Sequence, residues 1–268
     1  MNIQNIDGIH LLGLMNNNII DLIITDPPYI ISKNSGMNKF EKKVKMLEEK
    51  NENAKTEEEW EELKKKKGYN DDKYKNNYIK YGNTSGKKYA FKTDYGKWDK
   101  TFTMEKLEEF IKLYYKKLKK GGTLIIWFDL WKISYLKELL EKHKFKQIRF
   151  IEWIKKNPMP LNQSINYLTN SREIALLAVK GGKPTFNSKY DKGIYHYPIV
   201  SGKRIHPTQK NLLLFEELIK KHSNENDLVV DTFLGSGTTA IACRNTNRKF
   251  LGSELDNNYY NKIMNALK

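Results

Sequence analysis

Four apolar runs bounded by turn or charge signals carry the pattern of buried strands: Ile19–Thr25, Thr123–Phe128, Leu228–Asp231 and Phe250–Glu254. They alternate with helical patterns at Met104–Lys119, Trp131–Lys142, Asn211–His222, Thr238–Thr246 and Asn257–Leu267. Strands alternating with helices predict an α/β fold, with a mostly parallel sheet covered on both faces. Gly121-Gly122 reads as the C-terminal stop of the helix that begins at Met104. Lys146–Trp153 and Arg172–Val179 are also strand-like, joined by the polar loop Lys155–Asn170, and predict an antiparallel hairpin at one edge of the sheet. Thr185–Arg204 shows no periodicity and reads as irregular.

Met37–Lys97 breaks this pattern, being dominated by Lys, Glu and Asn with few apolar anchors. Thr56-Glu57-Glu58-Glu59 is a capping-box pattern, and Trp60 and Leu63 follow at helical spacing, so one or two exposed helices are expected. Beyond them Tyr69, Tyr74, Tyr78, Tyr81 and Tyr89 are interleaved with lysines. That mixture suits stacking on bases and tracking of phosphates, and equally suits a solvated insertion.

At 268 residues with 39% hydrophobic content, the chain is sized for one large core, and we expect a single domain over residues 1–268 carrying residues 37–97 as an insertion. The formal charge of +16 points to a polyanionic partner. Most of that charge is lysine in a chain also rich in Asn and Ile, which codon bias in an AT-rich genome produces as well. Arginine is confined to Arg149, Arg172, Arg204, Arg244 and Arg248, so bidentate guanine readers are scarce. A single cysteine, Cys243, excludes an internal disulfide and a Cys-based metal site. With no signal-like start and no apolar run near the length of a bilayer span, a cytoplasmic protein without membrane association or metal is expected.

Asp26-Pro27-Pro28-Tyr29 follows directly on the first strand, at the carboxyl edge where open α/β sheets bind ligands. The prolines stiffen the turn and remove backbone donors, leaving acceptors to face a substrate. An exocyclic base amino group needs such acceptors, because its lone pair is delocalised into the ring. The Asp26 carboxylate and the Pro27 carbonyl suit its two N–H groups, and Tyr29 offers a face for an extruded base. An ordinary proline-rich turn is the plain alternative.

Asp231-Thr232-Phe233-Leu234-Gly235-Ser236-Gly237-Thr238-Thr239 leaves a second strand and opens a helix. The dinucleotide fingerprint fails, since Ala240 stands at the next position of the pattern after Gly235 and Gly237, and the P-loop fails for want of Gly-Lys-Ser/Thr. An acidic residue before the glycines suits a cationic ligand without phosphates, and S-adenosylmethionine carries a sulfonium and an ammonium. Glu254, closing the following strand, stands where a carboxylate commonly takes ribose hydroxyls.

With these motifs the chain resembles the β-group amino-methyltransferases of DNA, in which D-P-P-Y comes first and the cofactor loop D-x-F-x-G-S-G-T lies near the C-terminus. Gly96-Lys97-Trp98-Asp99, Trp153-Ile154-Lys155-Lys156-Asn157-Pro158 and His206-Pro207-Thr208-Gln209-Lys210 match further segments of that family; Asn211 replaces its usual proline. The resemblance covers most of the chain apart from residues 37–97. It implies a Rossmann-like, circularly permuted methyltransferase fold that transfers methyl from S-adenosylmethionine to a flipped-out base of double-stranded DNA. Asp26, Pro27, Pro28 and Tyr29 are the catalytic candidates. The cofactor candidates are Thr25, Asp26, His206, Thr208, Gln209, Lys210, Asp231, Phe233, Gly235, Ser236, Gly237, Thr238 and Glu254. Residues 155–204 are the expected target-recognition region, and Trp98, Asp99, Lys155, Lys156, Asn157, Arg172, Lys203 and Arg204 the DNA-contact candidates. Asp at position 26, where cytosine-N4 enzymes more often carry Ser, favours adenine N6. RNA methylation, protein-amide methylation and a non-catalytic binding module remain alternatives. A cognate restriction endonuclease and a homodimer are the further expected partners.

Overall fold

The computed structural model describes residues 1–29, 55–84, 102–158, 168–201, 205–206 and 208–267. Its contacts divide the chain into one unit of Met1–Ile30 with Trp98–Lys268 and a second of Ile31–Lys97. In chain order the described elements are β1 (Asn2–Gln4), α1 (Gly8–Leu14), β2 (Ile20–Thr25), α2 (Glu57–Lys67), α3 (Lys75–Tyr81), α4 (Met104–Lys117), β3 (Leu118–Phe128), α5 (Ile133–Lys142), β4 (Lys146–Lys155), β5 (Arg172–Val179), β6 (Ile194–Tyr197), α6 (Leu212–His222), β7 (Leu228–Asp231), α7 (Thr238–Asn245), β8 (Lys249–Ser253) and α8 (Asn257–Leu267).

In the larger unit eight strands form one sheet in the order β1-β8-β7-β2-β3-β5-β4-β6. The first five of these pair in parallel, β5 runs antiparallel to both β3 and β4, and β6 pairs in parallel with β4. Alternation along the buried strands divides their side chains between two cores. Ile125 and Trp127 face Leu214, Phe215 and Leu218 of α6 together with α7 and α8. Leu124, Ile126 and Phe128 face Phe110, Ile111 and Tyr114 of α4 together with α1 and α5. A sheet apolar on both faces needs helices on both, and the expected α/β class holds.

Three expectations on local structure are corrected. The β4–β5 hairpin is not at the edge, because β6 lies outside it within the stretch read as irregular. Only four residues long, β6 has no apolar run; Tyr195 and Tyr197 supply its inward face, and their hydroxyls donate to Asp191 and Glu217. Gly121-Gly122 does not cap α4, which ends at Lys117, but lies within β3. Gly121 has φ +81°, its N–H donates to Lys180 and Gly181 carbonyls, and a Cβ there would strike the carbonyl of Lys183. The glycine therefore admits a close approach of backbone to backbone. Finally, β1 and α1 precede the first strand expected from sequence. Asp7 caps α1 by accepting from Ile9 N at 2.8 Å.

Within the smaller unit, α2 begins with the expected capping box: Glu59 N donates to Thr56 Oγ1 at 3.2 Å and Thr56 N to Glu59 Oε2 at 2.9 Å. Trp60 is fully buried. Tyr69 stacks on it at 6.1 Å between centroids and Tyr78 tilts against it at 5.8 Å. Tyrosines that suited base stacking are thus the packing partners of the unit's own tryptophan, while Tyr89 lies outside the described residues.

Candidate active site

Two loops leave neighbouring strands at the same edge of the sheet, because β2 and β7 are parallel partners with Leu22 opposite Val229 and Ile23 opposite Val230. The loop after β2 is Asp26–Tyr29; the loop after β7 is the glycine segment. They are fastened at their roots, where Thr25 Oγ1 donates to Asp231 Oδ1 at 2.7 Å. Asp231 also accepts from Phe233 N at 3.0 Å and, through Oδ2, from Thr239 Oγ1 at 2.6 Å. Burial lifts its pKa to about 6 against the lowering effect of these donors.

The glycine loop closes on Glu254. Gly235 N donates to Glu254 Oε2 at 2.7 Å and Asp256 N to Oε1 at 2.8 Å. Each carboxylate oxygen retains a lone pair for a further donor. Burial raises the Glu254 pKa to about 7, with the two backbone donors opposing. Gly235 and Gly237 both have positive φ, for different ends. A Cβ on Gly237 would come within 2.9 Å of Ile263 Cγ2 on α8, so this glycine serves packing. A Cβ on Gly235 would meet nothing nearer than 3.9 Å, at His206 Cγ and Phe233 O. That open cradle, bounded by a carboxylate and a histidine, fits S-adenosylmethionine. Ser236 and Thr238 share a hydroxyl contact of 2.8 Å, and Phe233 packs on Phe110 with centroids 4.7 Å apart.

His206 stands over the cradle, tilted against the Tyr259 ring at 4.4 Å. Burial and then Lys210 and Lys262 push its pKa down to about 4, so it is neutral at pH 7. Its Nδ1 contacts Thr208 Oγ1 at 2.9 Å, and its Nε2 is buried without a hydrogen-bond partner among the described residues. Gln209 Oε1 accepts from Ile205 N at 3.0 Å, which folds the segment on itself.

Lys210 turns from that segment into the Asp26–Tyr29 loop. Its ammonium is 3.0 Å from Asp26 Oδ2, contacts Glu173 Oε2, and lies 3.5 Å from Tyr29 Oη. It also sits 5.2 Å from the centre of the Trp127 ring. Burial disfavours the ammonium, yet Asp26 and Glu173 overcome this and hold its pKa well above the ordinary lysine value. Asp26 is raised by burial, with Lys210 opposing. Its other oxygen, Oδ1, is buried with no hydrogen-bond partner among the described residues. Pro27 and Pro28 are buried, and the Tyr29 ring meets Phe128 edge-on at 6.2 Å.

Of the DNA-contact candidates, Lys155 is paired with Glu173 at 2.8 Å, and Arg172 is largely exposed beside Glu152. Asn157 Oδ1 accepts from Ile199 N at 2.7 Å, joining the end of β4 to the segment after β6. Lys156 lines a cleft of about 460 Å³ with Tyr195, Tyr197, Glu217 and Lys221, separate from the Asp26–Tyr29 loop. Trp98, Asp99, Lys203 and Arg204 lie outside the described residues. Glu173 was not among the sequence candidates. Its signal was a carboxylate at the start of an apolar strand, and the reversal of β5 brings that start to the edge where β2 ends.

The N6_N4_Mtase family model, described as DNA methylase, matches residues 20–265. The Type II methyltransferase M2.LlaDCHI of Lactococcus lactis subsp. cremoris is 32% identical over 62% of this chain and 69% of its own length. M2.DpnII of Streptococcus pneumoniae, also named a Type II methyltransferase, is 33% identical over the same shares. Among solved structures, the M1.HpyAVI–SAM complex superposes with a TM-score of 0.63 at 27% identity, covering 99% of this chain and 98% of that one.

Proposed function

We propose, from the premise that this chain belongs to the DNA methylase family and is an S-adenosylmethionine-dependent DNA methyltransferase, that it methylates N6 of an extruded adenine. The observation that carries the reading is Asp26: one oxygen is fixed by Lys210 and the other is a buried acceptor without a donor among the described residues. A buried acceptor of this kind costs about 1–3 kcal/mol until a donor reaches it. An adenine amino group brings that donor. Asp26 Oδ1 and the Pro27 carbonyl take its N–H groups and draw the nitrogen from the ring plane, and Tyr29 stacks on the base. When bound, S-adenosylmethionine supplies a methyl group made electrophilic by its sulfonium. Glu254 takes the ribose hydroxyls, and the Gly235 cradle and neutral His206 bound the adjoining space.

The same proposal makes residues 155–204 the target-recognition region, with Lys156, Asn157 and Arg172 among its DNA contacts, and residues 37–97 an accessory DNA-contacting insertion. A cognate restriction endonuclease, a homodimeric state and a cytoplasmic location complete it. Among the described residues no helix is long and apolar enough to cross a membrane.

The test is to incubate the protein with genomic DNA and isotope-labelled S-adenosylmethionine, then digest to nucleosides for mass spectrometry. Label in N6-methyladenine is expected, and Asp26→Ala should lower it by at least about 100-fold while cofactor affinity stays within a few-fold. Label in N4-methylcytosine would overturn the choice of base. Near-normal turnover by Asp26→Ala would overturn the catalytic assignment.

A further inference from the structure

Four charged side chains from four separate segments form an alternating line at the catalytic edge. Lys155 ends β4, Glu173 lies near the start of β5, Lys210 precedes α6, and Asp26 follows β2. Lys155 Nζ is 2.8 Å from Glu173 Oε1, Glu173 Oε2 contacts Lys210 Nζ, and Lys210 Nζ is 3.0 Å from Asp26 Oδ2. The middle pair is sheltered, Lys210 at 8% exposure and Glu173 at 22%. Sheltered charges are costly unless paired, and each member of this line is held by its neighbours.

We propose that Glu173 is a positioning residue for methyl transfer: clamped by Lys155, it fixes the Lys210 ammonium on one oxygen of Asp26, so that the other is presented to the base amino group. This rests on the reading of Asp26 as the group that faces the base. Without Glu173 the Lys210 ammonium has, among the described residues, Asp26 as its sole anionic contact, and nothing prevents it from swinging off Asp26 toward the Tyr29 hydroxyl. That movement leaves the Asp26 carboxylate free to turn, so that the acceptor is no longer held toward the amino group. Burial works to raise the Glu173 pKa, but Lys210 and Lys155 outweigh it and bring it down to about 2, so the clamp is charged throughout the working range.

The pH profile separates positioning from a mere neighbouring charge. The groups acting on Asp26 are Lys210, which lowers its pKa, Glu173, which raises it, and the hydroxyl of Tyr29, which lowers it; the carboxylate of Asp231 also interacts with it. Removing the Glu173 charge alone would lower the Asp26 pKa. Removing it and thereby releasing Lys210 would raise the pKa instead. We therefore expect Glu173→Gln to reduce kcat on the order of 100-fold, as misplacement of a reacting group does, with cofactor affinity unchanged by calorimetry and the acid limb of kcat/KM moved to higher pH. Lys210→Met should move that limb the same way. The double variant Lys155→Met/Glu173→Gln keeps the charge balance and carries the same test if the single variant fails to fold. An unchanged kcat, or an acid limb moved to lower pH, overturns the proposal. If Asp26→Ala is itself active, the underlying reading of the site has failed instead.

Discussion

The hydroxyl of Thr25 donates to Asp231 Oδ1 at 2.7 Å, bonding the last residue of β2 to the last residue of β7. The turn that carries Asp26, the proposed catalytic carboxylate, and the turn that carries the glycines thus share one root. Thr25→Val keeps the shape and removes the donor, leaving the buried carboxylate of Asp231 one partner short. A loss of about 1–3 kcal/mol in unfolding free energy is expected, with weaker cofactor binding because the glycine loop loses its anchor. Denaturant titration with and without S-adenosylmethionine measures both; unchanged values in both would refute the shared root.

Glu254 gives a pH dependence of known sign. Burial raises its pKa from 4.5 to about 7, so the folded chain binds the proton more tightly than the unfolded one. Its contribution to stability therefore falls as pH rises across that interval, by roughly 3 kcal/mol. Glu254→Gln keeps an acceptor for Gly235 N but cannot ionise. The variant should match or trail the wild type near pH 5 and exceed it at pH 8 in the absence of cofactor. Its affinity for S-adenosylmethionine should fall about 10- to 100-fold, the worth of a hydrogen bond to a charged group. Equal pH profiles for the two proteins would show that Glu254 is not the titrating group.

Gly235 and Gly237 should fail differently when replaced by valine. At Gly235 the surroundings are open and only the positive φ is strained, at about 1–2 kcal/mol, so the variant folds but fills the proposed cofactor cradle. At Gly237 even a Cβ crowds Ile263 on α8, and a larger side chain should unfold that end of the sheet. Circular dichroism and calorimetry distinguish a folded chain that no longer binds from one that no longer folds. Retained cofactor affinity in Gly235→Val would move the cofactor elsewhere.

Replacing Phe40–Lys92 by a short Gly/Ser linker tests the insertion. Since Tyr69 and Tyr78 are engaged with Trp60, we expect its DNA contacts to be lysines on phosphates, with little base stacking from those tyrosines. Cofactor affinity should be unchanged, DNA affinity lower, and the slope of log affinity against log salt shallower by about 0.9 for each phosphate that the insertion neutralises. An unchanged slope would assign the insertion no part in DNA binding.

What the sequence determined by itself was whatever leaves a local mark. The central strands are legible because burial on both faces forces continuous apolar runs such as Leu124–Phe128, and the glycine loop because Gly235 and Gly237 adopt positive φ that other residues resist. The capping box of α2 spans only Thr56 to Glu59, so it too is read locally. Tertiary structure alone decided what depends on pairing between distant segments. The strand β6 is too short to show a pattern and exists because the free edge of β4 offers it hydrogen-bonding partners. Gly121 reads locally as a helix stop, and only the approach of Lys183 shows that it sits inside β3. The line Lys155–Glu173–Lys210–Asp26 has no sequence period at all. It forms because β5 runs against its neighbours, which delivers the start of one strand to the edge where the others end, and because charges sheltered there need partners.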